Sequence, residues 1–232
     1  MRDTDQGLVD EQIRYYRHRA PEYDEWFYRQ GRYDYGPDHR RQWHHELAEA
    51  REALDAHRPS GRILELACGT GLWTQLLARY PGAFTALDVS NEVLARNRAR
   101  VRSKAVRYHQ CDIFRWMPDE RYDFVFFGFW LSHVPPSRFE QFWAQLRVTL
   151  APGGTVFFVD NRYHKKNSAR DHQTDRCQVT ERRALNDGRM FDIVKVFYEP
   201  EGLTERLEGL GWHGDFRLTS NFFIYGTASI AR

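Results

Sequence analysis

The sequence predicts an α/β fold built on a mostly parallel sheet, and three observations carry that reading. Short apolar runs at 63–67, 83–89, 122–129 and 155–159 alternate with stretches whose apolar residues recur at helical intervals. Two glycines flanking Thr70 end the first run abruptly, which marks a tight turn from strand to helix. Late in the chain, Asn186-Asp187-Gly188 stands between two strand-like stretches and predicts a hairpin. The chain has 232 residues, 41% of them hydrophobic, enough for one sizeable core with room for an extra segment.

Taken in order, Val9 to Arg32 interleaves Tyr15, Tyr16, Tyr23, Trp26, Phe27 and Tyr28 with arginines. Pro21 suggests two short helices, about 10–19 and 21–30, stopped by Gly31. A helix over about 38–57 follows Gly36-Pro37, with Trp43, Leu47, Ala50 and Leu54 on one face. These helices precede the first strand and belong to no strand-helix-strand unit, so residues 1–58 are expected to form a helical lid on a core spanning 59–232. Arg62 to Ala67 is the first strand and Leu72 to Tyr80 the helix after its glycine turn. Ala83 to Val89 is a second strand and Val106 to Cys111 a third. Tyr122 to Phe129 is nearly all apolar, as a strand buried on both faces must be. A helix follows over about 137–150, then a Pro152-Gly153-Gly154 turn and a fifth strand, Thr155 to Val159. The hairpin, about 176–198, reads as an insertion. A helix from Gly202 to Leu210 and a closing pair of strands, 212–218 and 221–228, complete the chain.

Composition bounds the function. The net charge is only +2, with basic residues scattered among 32 acidic ones, so no nucleic-acid partner is expected. The polar start and the lack of an apolar stretch near the roughly 20 residues of a membrane span predict no membrane partner and a cytoplasmic protein. Three cysteines, Cys68, Cys111 and Cys177, have neither disulfide nor zinc spacing. Oligomeric state is not legible.

The turn brings free N–H groups at a helix start to a place only glycine lets a ligand approach. Thr74 stands where a dinucleotide fingerprint needs its third glycine, so a pyrophosphate cofactor is disfavoured. Glu65-Leu66-Ala67-Cys68-Gly69-Thr70-Gly71 instead resembles motif I of the class I S-adenosylmethionine-dependent methyltransferases, Asp/Glu-x-Gly/Ala-x-Gly-x-Gly. The resemblance covers about residues 10–228 and is similar to bacterial quinone and natural-product enzymes with small-molecule acceptors. It implies a Rossmann-like, doubly wound, seven-stranded sheet with an antiparallel terminal strand, and S-adenosylmethionine as cofactor. Glu65, Ala67, Gly69 and Gly71 would form the turn. Asp88, ending the second strand, would accept from the ribose hydroxyls, with Val89 beside it; the alternative is a helix cap, which Ser90 could equally supply. Asp112 and Ile113 would meet the adenine, with a plain turn residue as the alternative for Asp112, Gly128 and Phe129 the cofactor's amino group, and Tyr16 and Arg19, in Tyr16-x-x-Arg19-Ala20-x-x-Tyr23-Asp24, its methionine end. Tyr23, Trp130 and Asp160 fall on the substrate side.

Methyl transfer needs a nucleophile in line with the sulfonium and, for a weak acid, a base. His133 is the candidate base and His164 the reserve, with a purely structural His133 as the alternative. Catechol O-methyltransferases hold magnesium with an Asp-Asn pair plus an earlier aspartate; Asp160-Asn161 is present but Gly128-Phe129-Trp130 fills the other place, so no metal is expected. Two other readings stay open: a nicotinamide-dependent oxidoreductase, disfavoured by Thr74 and by the lack of a Tyr-x-x-x-Lys pair, and a non-catalytic cofactor-binding subunit.

Overall fold

A computed structural model describes residues 2–172 and 175–231. Three helices come first: α1 (Arg2–Arg19), α2 (Tyr23–Phe27) and α3 (Pro37–His57). The first exceeds the expected 10–19 because its polar early turns are held from outside, Ser137 Oγ donating to Asp5 and Arg138 to Gln6 Oε1 at 2.8 Å. The expected 21–30 helix closes instead as the five-residue α2 and a separate single turn at Gly31–Tyr33. Helix α3 starts on Pro37 and stops where Arg58 turns left-handed ahead of Pro59, which disfavours a helical residue before it.

The sheet is made of β1 (Gly61–Leu66), β2 (Gly82–Asp88), β3 (Val106–Gln110), β4 (Tyr122–Gly128), β5 (Leu150–Asn161), β8 (Trp212–Leu218) and β9 (Phe223–Ile230). A separate hairpin pairs β6 (Thr180–Ala184) with β7 (Met190–Val194). The seven strands run in the order β3-β2-β1-β4-β5-β9-β8, parallel except for β9, which runs against both neighbours. This is the doubly wound, mostly parallel sheet with an antiparallel strand near its end that the sequence predicts. Strand β5 begins earlier than expected. Pro152-Gly153-Gly154 lies inside it as a bulge, Tyr122 pairing with Leu150 and Phe124 with Thr155, and Gly153 at φ +78 absorbs the register shift.

Period-two alternation divides the strand side chains between two cores. Leu64, Leu66, Val125, Phe127, Val156 and Phe158 face α6 (Phe139–Thr149) and α7 (Pro200–Glu208), through Phe142, Trp143, Leu146 and Leu203. Ile63, Phe84, Phe124, Phe126, Phe157 and Val159 face the other way, against Trp43, Leu47 and Leu54 of α3 and Leu94 of α5 (Asn91–Val101). The helix after the glycine turn is regular only over α4 (Thr74–Leu77), although hydrogen bonds continue its winding to Tyr80. Strand order reverses between β1 and β4, so a crevice opens at their carboxyl ends, the place where open α/β sheets bind ligands. Helix α1 crosses above it, in contact with β7. No helix among the described residues is long and apolar enough to cross a membrane.

Candidate active site

The turn after β1 is built so that backbone, not side chain, faces the crevice. Gly69 and Gly71 have φ of +55 and +92, and a Cβ on Gly71 would stand 2.8 Å from Asn97 Oδ1. Asn97, fully buried on α5, fixes the turn by donating to the carbonyls of Cys68 and Gly69 and to Thr74 Oγ1. Thr74 in turn donates to Glu65 at 2.6 Å, and burial pushes the Glu65 carboxyl up to about 8. Two non-glycine residues, Ala67 and Phe129, also take left-handed backbone, at φ +50 and +57. They sit just past β1 and β4, one on each side of the crevice, where local strain marks a functional site.

A cavity occupies the crevice, lined by both the strand ends and the N-terminal helices. Its floor is Ala67, Gly69 and Thr70, with Asp88 and Val89 at the tip of β2, Asp112 and Ile113 after β3, and Gly128, Phe129 and Trp130 after β4. Asp88 accepts from Gly69 N at 3.1 Å and from Ser90 N at 3.0 Å, while the cap of α5 is Ser90, whose Oγ accepts from Val93 N. Its carboxylate thus holds the glycine turn and still faces the cavity. Burial pushes it up to about 6, with the backbone donors opposing. Asp112 spends one oxygen on Phe114 N at 2.9 Å. These groups fit a nucleoside: a carboxylate for vicinal hydroxyls, a second one further along, and apolar walls between them.

Tyr16 and Tyr23 roof the cavity, with Val9, Gln12, Ile13 and Ala20 of the same segment. Against Tyr16, His133 lies 5% exposed in a short turn after β4, bonded at both ring nitrogens. Nδ1 is 2.7 Å from Val194 O of β7, and a carbonyl only accepts, so Nδ1 carries the hydrogen. Nε2 therefore accepts from the Tyr16 hydroxyl at 2.7 Å, and burial, which raises Tyr16 well above its ordinary value, keeps that proton on the phenol. Burial and then the charge of Lys195, with Arg183 and Arg19 adding to it, hold His133 well below the usual imidazole range. It is neutral at physiological pH.

Not every expected residue borders the cavity. Arg19 lies behind the roof, its guanidinium among the rings of Tyr15, Tyr16, Tyr23 and Tyr33 and donating to Tyr33 Oη at 3.3 Å. Glu65 faces a smaller adjoining hollow with Tyr23, Trp73 and Gly128, and Gly71 borders neither. Asp160 is buried beneath the site, accepting from Ser132 N and Asn161 N and standing 3.9 Å from Lys195 Nζ. His164, the reserve base, packs edge-on against Phe222 and does not line the cavity. Among the described residues no three potential metal ligands cluster. Gln12, Thr70, Arg183 and Lys195 were not singled out from the sequence. Gln12 bridges His133 O and Val194 N, and Lys195 Nζ donates to Ser132 Oγ at 2.8 Å, contacts between segments more than 60 residues apart.

Residues 63–154 match the family described as "Methyltransferase domain". The chain is 34% identical over 137 residues to trans-aconitate 2-methyltransferase of Variovorax paradoxus, covering 56% of this chain and 51% of that protein. It is 29% identical over 107 residues to demethylmenaquinone methyltransferase of Listeria monocytogenes, covering 42% and 44%. The chain thus spans about half the length of the curated relatives it matches. Among solved structures it is 40% identical to DhpI in complex with SAH, at a TM-score of 0.80, with 97% of this chain and 98% of that chain covered. A DhpI–SAM–HEP complex gives 41% identity and the same TM-score. Solved relatives bound to SAM or SAH make S-adenosylmethionine the cofactor of this chain. Likeness at this level along nearly its whole length shows that the chain belongs to the class I S-adenosylmethionine-dependent methyltransferases.

Proposed function

We propose that the chain transfers a methyl group from S-adenosylmethionine to an oxygen of a small anionic acceptor, with residues 1–58 as the lid over a 59–232 core. The observation that carries this reading is Arg19, a buried guanidinium with no carboxylate partner among the described residues and an unbonded Nε. An unpaired buried charge is costly, and an arriving anion relieves it. Lys195 and Arg183 add to the positive potential at His133. Each already stands near a carboxylate, Asp160 and Glu181, so Arg19 gives this side its excess. Trp130 Nε1, at the cavity wall, is a further donor without a partner. Such surroundings favour an oxyanion and disfavour a protonated amine. A relative acting on trans-aconitate, a carboxylate compound, supports the same class.

When bound, the cofactor supplies an electrophilic methyl on a sulfonium. The chain's part is to orient and to exclude water. Asp88 and the glycine turn fix the nucleoside end, Tyr16, Tyr23 and Trp130 enclose the other and orient the acceptor, and the cations behind this wall favour an anionic one through their field. An acceptor that arrives as an anion needs no base, and His133 has both nitrogens engaged, so we assign it to orienting Tyr16 and the hairpin. His133→Gln is expected to reduce the methyl-transfer rate by less than about tenfold and to leave the pH profile unchanged near 6. A loss of about 10²- to 10⁴-fold would return it to the role of base.

The function is tested by incubating the protein with S-adenosylmethionine and matched acceptors, carboxylates and phosphonates against amines and neutral alcohols, and measuring S-adenosylhomocysteine. Turnover confined to amines would overturn the anionic reading. Cofactor alone should slow hydrogen exchange in residues 10–32, because Gln12, Tyr16 and Tyr23 roof the cavity. Unchanged exchange there would make the segment packing only.

A further inference from the structure

We propose that Arg100 is a positioning residue that latches the N-terminal helices to the cofactor turn and sets the rate of cofactor exchange. It sits on the last turn of α5, outside the cavity, with its side chain 22% exposed. One guanidinium nitrogen donates to the Thr70 carbonyl at 2.7 Å and to Thr70 Oγ1 at 2.9 Å. The other pairs with the carboxylate of Asp24 in α2. Thr70 Oγ1 closes the triangle by donating to Asp24 Oδ1 at 2.8 Å. Thus one arginine holds the central peptide of the Gly69-Thr70-Gly71 turn and, through it, the start of α2.

The position of these three residues gives the contact its consequence. Thr70 is part of the cavity floor, and Tyr23, the neighbour of Asp24, is part of the roof and also borders the hollow beside Glu65. A cofactor-sized ligand crossing between floor and roof must separate Tyr23 from Thr70, which breaks the bonds Asp24 makes. The far end of α2 is anchored by packing, with Trp26 and Phe27 buried in the core below and Trp26 Nε1 donating to Asn167 O at 2.9 Å. Its start is held by polar contacts, those of Asp24 and those by which Glu22 and Glu25 accept from Asn186. The bonds to Asp24 are charge-assisted and partly shielded from water, so they hold the turn closed more firmly than an exposed ion pair does.

The test needs only protein and cofactor, so it stands apart from the nature of the acceptor. Dissociation of S-adenosylhomocysteine is followed by stopped-flow tryptophan fluorescence, and S-adenosylmethionine affinity by calorimetry. Arg100→Gln and Asp24→Asn should each speed release and weaken binding by about tenfold, the size of one charge-assisted hydrogen bond. The double variant should be no worse than the stronger single one, because both remove the same latch. Arg100→Lys should recover part of the effect, since an ammonium can meet Asp24 but cannot also span Thr70. With cofactor saturating, the acceptor KM should not move. Release rates unchanged in both single variants, or effects that multiply in the double, would overturn the proposal. Should one variant fail to fold, the other decides by the same measurement.

Discussion

Replacing Lys195 by Met is expected to lower kcat/KM for the acceptor by about tenfold, because it removes a buried positive charge from the surroundings of His133, while the affinity for S-adenosylmethionine stays the same. The separation follows from position. Lys195 is 4% exposed, hydrogen-bonded to Ser132 and near Asp160, and does not border the cofactor cavity, yet its charge acts on His133, beside Tyr16 of the roof. The fold should survive, because Asp160 keeps its bonds from Ser132 N and Asn161 N when the ammonium is removed. Burial lowers the Lys195 ammonium to about 8 against the opposing pull of Asp160. The cation is present below that pH and lost above it. The acceptor KM of the wild type should therefore rise as pH passes through about 8, and the Met variant should lack that rise. Steady-state kinetics over pH 6.5–9.5 reads both effects. An unchanged acceptor kcat/KM in the variant would place the acceptor away from the hairpin.

What the sequence disclosed and what it hid divide by distance along the chain. Gly69, Asp88 and Asp112 each stand at or just past the end of a strand, where a short run of residues determines both the turn and what faces the crevice, so local pattern suffices. That the sheet is mostly parallel follows from the alternation of these runs with helices, whereas its doubly wound arrangement is what the family resemblance implies. Lys195 and Arg183 belong to a hairpin that reads only as an insertion. Their meeting with His133 and Arg19 depends on α1 crossing the sheet and packing on β7. The state of His133 is hidden for the same reason: its proton is placed by the Val194 carbonyl, 61 residues on, and its other nitrogen is taken by Tyr16, 117 residues back. Arg19 was expected at the cofactor, but the tyrosine rings that set it behind the roof come partly from Tyr33, beyond the motif that suggested the role. The strained backbone at Ala67 and Phe129 leaves no trace in residue type, since neither is glycine or asparagine.

Replacing Asp88 by Ala is expected to weaken S-adenosylmethionine binding by about 10²- to 10⁴-fold, because two charge-assisted hydrogen bonds to the ribose, at roughly 1.5–3 kcal/mol each, are lost together. The carboxylate also accepts from Gly69 N, so its removal loosens the turn that receives the rest of the cofactor. Ser90 still caps α5, which separates this loss from any failure of the helix. The wild type carries a second signature. Burial raises the Asp88 carboxyl to about 6, and hydroxyl donors require its ionised form, so a proton must leave before the cofactor binds below that pH. Affinity should be level above about 6.5 and fall towards tenfold per unit as pH drops below 6, whereas Asp88→Asn should be weak and show no such slope. Calorimetry at pH 5 to 8 measures both, with the melting temperature as the control for folding. Tight, pH-independent binding by the Ala variant would mean that the ribose lies elsewhere in the crevice and that Asp88 serves only to tie the glycine turn to β2.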